Sequence, residues 1–268
     1  MKILAIESSA LTASVALAED DMIIAEYTTN YKKTHSQTLM PMIEELCKMT
    51  ETDINSIEAA AVCAGPGSFT GLRIGAASAK GLGLALDIPV IAVPTLEAMA
   101  YNYYASPDFI APIMDARRDQ VYTGVFTFKK SKLEGNEVEY ELSPVVQPEA
   151  MAITDLIEKM NSIFEVDVAC NSLISRGVSN LTVDISEDNS IDRTVIFLGD
   201  GVPAFKDVIE KNAKFPYSFA PLNHNRQSAA SIAAAAFDYH KQGKEMNAAD
   251  FAPDYFRESQ AEREAKNK

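Results

Sequence analysis

Residues 64–86 read AGPGSFTGLRIGAASAKGLGLAL, a glycine-rich stretch between a strand-like run at 59–64 and a helix-like run that it opens itself. Nucleotide-binding sheets put their phosphate loop at such a junction, so the fold turns on whether this is one. It is not a P-loop, because no Lys-Ser/Thr pair follows Gly65-Pro66-Gly67-Ser68-Phe69-Thr70-Gly71 to meet the phosphates and a magnesium ion. A dinucleotide fingerprint belongs in the first strand–helix unit, with an acid closing the next strand. Here three strand-like runs and a helix come first, and the following strand, IPVIAVPT, ends without an acid. The spacing inside the helix is more informative: Gly71, Gly75, Ala79 and Gly83 recur every fourth residue and form one nearly bare stripe. Helix-interior glycines cost about 1 kcal/mol each relative to alanine, so close packing has to offset them. Two arrangements satisfy that need. The stripe packs in the chain's own core, or it meets another subunit, with Leu72, Ala76 and Leu86 beside it. Gly65 and Gly67 shape the strand-to-helix turn.

Outward from this stretch, the runs 2–7, 13–18 and 22–28 read as three strands in two consecutive hairpins. In 36–49, Leu39, Met42, Ile43 and Leu46 recur at helical spacing, and Met40 and Cys47 widen the stripe beyond one face, so one side is core and the other is left for a partner. The first half is therefore β-β-β-α-β-α. After the strand IPVIAVP and a helix LEAMAYNYY capped by Thr95, the order repeats: strands at 110–114, 121–128 and 138–142, a helix at 150–160, a strand at 194–198 and a helix at 204–212. This order predicts two halves, 1–108 and 109–268. The second carries a polar, acid-rich surface excursion at 161–192 with some strand content, an alanine-rich last helix at 226–239, and a charged tail.

Composition narrows the function. With 268 residues, 47% of them hydrophobic and 23% charged, the chain has enough apolar material for a sizeable folded core. Its 38 acids against 24 bases give a formal charge of −14, the wrong sign for holding nucleic-acid phosphates unaided. The scattered Cys47, Cys63 and Cys170 match neither a disulfide framework nor a zinc site, which suits a reducing cytosol. Glu7 interrupts the apolar N-terminus before a signal-peptide core forms, and no run reaches the length of a membrane span. His35, His224 and His240 have no metal-ligand spacing, so no metal site is read, and His35 is expected at the surface or as a cap of the first helix.

Two successive βββαβα halves predict an α/β protein with the duplicated ribonuclease-H-like (actin-like ATPase, ASKHA) fold, in which ATP lies between halves and two hairpins hold its phosphates. Both hairpins lack the glycines that let backbone amides close on phosphate. The first offers Glu7, Ser8 and Ser9; its counterpart offers Asp115, Arg117 and Arg118. The arginines read either as a solvated turn or as an anion contact, and Gly199-Asp200-Gly201 reads either as a cleft-bordering loop or as a plain turn. These nine residues are the candidates for a degenerate cleft, with no catalytic residue and no cofactor assigned.

Six stretches then resemble a known family from end to end: ILAIESSALTASVAL, HSQTLMPMIEELC, GPGSFTGLRIGAASAKGLGLAL, VPTLEAMA, MDARRDQVYTGVF and PDYFRESQAE. They are similar to the TsaB (YeaZ) family, the glycine block most specifically. The resemblance implies a non-catalytic, degenerate copy of TsaD, required by the bacterial complex that transfers a threonylcarbamoyl group to the adenosine next to the anticodon of tRNAs reading ANN codons. It implies pairing with TsaD through the N-terminal halves, with TsaE joining as an ATPase, TsaC supplying threonylcarbamoyl-adenylate, tRNA held only through the complex, and a homodimer in isolation. The expected interface is Leu39, Met42, Ile43 and Leu46 with Gly71, Leu72, Gly75, Ala76, Ala79 and Gly83. An actin-like small-molecule kinase would need a phosphate hairpin, and a metallopeptidase, the older glycoprotease label, would need a metal motif.

Overall fold

A computed structural model describes residues 1–20, 22–31, 34–117, 119–134, 137–175 and 193–256. The chain divides into two compact units, 1–103 with 226–268, and 104–225. In the first, β1 (Lys2–Glu7), β2 (Ala13–Glu19) and β3 (Met22–Thr29) form an antiparallel meander. On the other side of β1, β4 (Ala59–Gly65) and β5 (Val90–Pro94) follow in parallel, and the two-residue β11 (Glu245–Met246) closes the far edge. The sheet order is β11-β5-β4-β1-β2-β3.

Ala59 to Cys63 of β4 and Ile3 to Ile6 of β1 are buried without alternation, because helices cover both faces of the central strands. The helices α1 (His35–Met49) and α2 (Phe69–Leu86) pack together on one face; α3 (Thr95–Ala100) and α6 (Ala229–Lys241) pack together on the other. Two tyrosine–carboxylate bonds clasp the second pair, Tyr239 to Glu97 at 2.5 Å and Tyr101 to Asp238 at 2.7 Å. Burial, reinforced by the charge of Glu97, raises the Tyr239 hydroxyl above its ordinary range.

The second unit repeats the plan. Its strands β6 (Phe109–Asp115), β7 (Gln120–Glu134) and β8 (Glu137–Ala152) form the meander, and β9 (Val195–Leu198) and β10 (Tyr217–Phe219) lie parallel beyond β6. Its order, β10-β9-β6-β7-β8, matches β5-β4-β1-β2-β3 strand for strand and sense for sense. Helices α4 (Ile153–Ser175) and α5 (Val202–Asn212) supply Leu156, Ile157, Met160, Phe164 and Ile209 to its core. This is the duplicated ribonuclease-H-like arrangement of the actin-like fold.

Four sequence expectations are corrected. The last helix begins at Ala229 and belongs to the first unit, not to a second half running from 109 to 268, because Ala229, Ile232, Ala233 and Ala236 pack on its sheet. Residues 161–175, expected in a surface excursion, continue α4; Phe164 extends the apolar spacing of Ile157 and Met160 and stacks on Phe215 at 5.3 Å. The rest of that excursion, 176–192, lies outside the described residues, as does the tail 257–268. Residues 150–152, expected in the helix, end β8. Thr95 is the first residue of α3 rather than its cap, and its buried hydroxyl has no hydrogen-bond partner among the described residues.

Candidate functional site

Two segments distant in sequence press on α2. The first is the turn after β1, at Ser8 and Ser9. The Ser8 hydroxyl donates to the Gly71 carbonyl at 2.9 Å, and the Ser68 amide donates to the Ser9 carbonyl at 2.6 Å. A Cβ on Gly67 would strike the Ser9 carbonyl oxygen, one on Gly71 the Ser8 carbonyl oxygen, and one on Gly75 the Ser8 hydroxyl. Ser68 caps the helix through the Gly71 amide at 3.3 Å. Glu7, only 1% exposed, takes the Ser9 amide and hydroxyl on one carboxylate oxygen, both at 2.5 Å. Thus the turn's donor is held by the chain's own carboxylate, and its carbonyls face a helix. Beside it, burial and then the Glu7 charge push the Cys63 thiol well above its ordinary range. His35 joins the turn too, with Nε2 2.8 Å from the Ala10 carbonyl. It is a part-buried pin rather than a surface or capping residue, since the cap position belongs to Thr34.

The second segment is a strap, 247–256, along the opposite flank of α2. Lys80 donates to the Ala249 carbonyl at 2.8 Å and the Phe251 carbonyl at 2.9 Å, and Phe251 is buried. The Asp254 amide donates to the Ala64 carbonyl at the end of β4, at 2.6 Å. Gly65, at φ +120, leaves room for the Asp254 carbonyl oxygen, and Gly83 for the Ala248 methyl. The motif's glycines are therefore a contact code for two passing segments: Gly67, Gly71 and Gly75 for the turn, Gly65 and Gly83 for the strap.

This geometry corrects the expected interface. Gly71, Leu72, Gly75, Ala76, Ala79 and Gly83 are all buried within the chain, as are Leu39, Ile43 and Leu46 of α1; Met42 is half-buried against the core. Only the first of the two arrangements open to the stripe is therefore realised. What faces outward on α2 is a second small-residue stripe, Ala77, Gly81 and Ala85, with Thr70, Arg73 and Leu84 also exposed. Among the described residues, a Cβ on Gly81 would meet nothing within 4 Å. On α1 the exposed side carries Met40, Pro41 and Glu44, and with Cys47, Ile54 and Leu82 these line an open apolar groove of about 590 Å3. Burial raises the Cys47 thiol above its ordinary value. Sequence reading missed the outer stripe and Arg73; the signals were the four-residue spacing of Ala77, Gly81 and Ala85 and the cation pair Arg73 and Lys80, spaced seven apart and so on one helix face.

The expected cleft residues fall in both units. Glu7, Ser8 and Ser9 lie in the first, committed as described. In the second, Asp115 accepts from the Arg117 amide at 2.8 Å and pairs with its exposed guanidinium at 3.8 Å, and Arg117 sits at φ +64, so this is a tight turn closed on itself. Gly199-Asp200-Gly201 is the turn from β9 into α5, its Gly201 amide bonded to the Ile113 carbonyl at 3.0 Å beside Asp115. Arg118 lies outside the described residues. Among the described residues no three His, Cys, Asp or Glu side chains group as metal ligands, and no helix is long and apolar enough to cross a membrane.

Comparison with known proteins follows the same lines. A family model described as "TsaD: tRNA N6-adenosine threonylcarbamoyltransferase" matches residues 22–265. The tRNA threonylcarbamoyladenosine biosynthesis protein TsaB of Bacillus subtilis is 34% identical over 270 residues, covering 98% of this chain and 96% of that protein. The Escherichia coli protein of the same name is 34% identical over 154 residues, 56% of this chain and 66% of that one. The solved structure of YeaZ from Pseudomonas aeruginosa superposes with a TM-score of 0.63 at 23% identity, covering 95% of this chain and 99% of that one, and so shares the fold. Identity along nearly the full length of both chains, on a duplicated fold of the same plan, decides the family: the chain belongs to the TsaB (YeaZ) family of tRNA threonylcarbamoyladenosine biosynthesis proteins.

Proposed function

We propose that the chain is a non-catalytic subunit of the threonylcarbamoyl-transfer complex, which docks TsaD on the outer faces of α1 and α2 and so enables transfer to tRNA. The observation that carries this reading is the outward stripe Ala77, Gly81 and Ala85 beside the apolar groove at Met40, Cys47 and Leu82. Small residues four apart let a partner helix approach closely, and the groove receives its larger side chains. A non-catalytic role is supported by how the first hairpin is used: Glu7 occupies the turn's amide, and the Ser8 and Ser9 carbonyls are packed on α2. A phosphate there would have to displace a buried carboxylate. In this reading TsaC supplies threonylcarbamoyl-adenylate, TsaE joins the pair as its ATPase, and tRNA is held by the partners, since a chain of formal charge −14 repels it. The expected compartment is the cytosol.

The test is co-expression of the tagged chain with TsaD from the same organism. A stoichiometric complex that survives gel filtration is expected. Elution of the two as separate species would overturn the pairing.

A further inference from the structure

On a chain with 38 acidic side chains, Arg73 meets no carboxylate among the described residues. It is nevertheless held in place. Its guanidinium lies 4.0 Å from the centre of the Phe69 ring, and its Nε donates to the Tyr255 hydroxyl at 3.3 Å. Tyr255 packs its own ring on Phe69 at 4.8 Å. The strap delivers that tyrosine, through the Lys80 and Asp254 bonds described above. An exposed arginine, stacked on an aromatic ring and tied by one nitrogen, has its remaining fork preorganised for a planar bidentate anion. It stands on the same outward face as Ala77 and Leu84.

We propose that Arg73, oriented by Phe69 and by Tyr255 of the strap, anchors the docking face by binding one carboxylate of the TsaD partner; this rests on the pairing proposed above. The strap is then half of the docking site, and Tyr255 is a positioning residue that acts through the guanidinium. Arginine and tyrosine at the edge of a close helix contact are the residue types that dominate binding energy at interfaces.

The experiment measures the affinity of purified TsaD for the full-length chain by calorimetry. Arg73→Gln is expected to raise Kd about tenfold with an unchanged thermal midpoint. Tyr255→Phe is expected to raise it less, and the double variant no more than Arg73→Gln alone, because the hydroxyl acts only through the arginine. An unchanged Kd for folded Arg73→Gln, with wild type binding normally, overturns this proposal and leaves the pairing intact. No binding by wild type overturns the pairing and the proposal with it. If Arg73→Gln lowers the thermal midpoint, Arg73→Lys decides, since it keeps charge and stem but not the fork: a raised Kd supports the anchor and an unchanged Kd overturns it. Sedimentation of the chain alone is the remaining arm. A dimer that Arg73→Gln dissociates would assign the face to a second copy and overturn the assignment to TsaD.

Discussion

Gly71 and Gly81 are the same residue in the same helix, and their surroundings give them opposite roles. A methyl group on Gly71 would collide with the Ser8 carbonyl, a backbone atom that cannot swing aside, whereas one on Gly81 would meet nothing among the described residues. Gly71→Ala is therefore expected to lower the unfolding free energy by about 1–3 kcal/mol, the usual cost of overpacking. Gly81→Ala is expected to raise it by up to about 1 kcal/mol, from helix propensity alone. Urea unfolding of the two variants beside wild type measures both. Gly75, which the sequence places in the expected interface, is instead a folding position: the Cβ of Gly75→Leu would strike the buried Ser8 hydroxyl.

At the scale of the element, α2 has two bare stripes, one sunk on the Ser8–Ser9 turn and the strap, one open. Pattern alone does not orient them, since each is a run of glycine and alanine four residues apart, and the contacts that choose come from a turn sixty residues upstream and a strap at the other end of the chain. Filling the open stripe leaves the fold alone and should act on docking only. Gly81→Leu is expected to weaken TsaD binding by about 1–3 kcal/mol while its thermal midpoint stays within that of wild type, read by calorimetry and thermal unfolding. The same reasoning explains what was legible in other elements. The strands β1, β2 and β4 are continuous apolar runs bounded by turn residues, and α1 carries helical spacing, so these elements are readable in the sequence. The strands β10 and β11, of three and two residues, are too short to carry a pattern, and the far end of α4 is hidden by polar residues until Phe164 is seen on Phe215.

For the molecule as a whole, the duplication is legible because the order of elements repeats even though the residues do not; the two sheets then match in order and sense. The assignment of α6 is not legible, since its alanines fit any close-packed surface, and the structure returns it to the first unit. For the candidate site the sequence points to α1 with α2, but the residues it singles out lie on the buried side of both helices. In the proposed role this acidic chain enables a transfer that it does not perform. Reconstitution with TsaC, TsaD, TsaE, ATP, threonine, bicarbonate and unmodified tRNA tests that most directly. Threonylcarbamoyladenosine is expected to form only when the chain and TsaD are both present. Full formation without the chain, or formation by the chain and TsaC without TsaD, would contradict it.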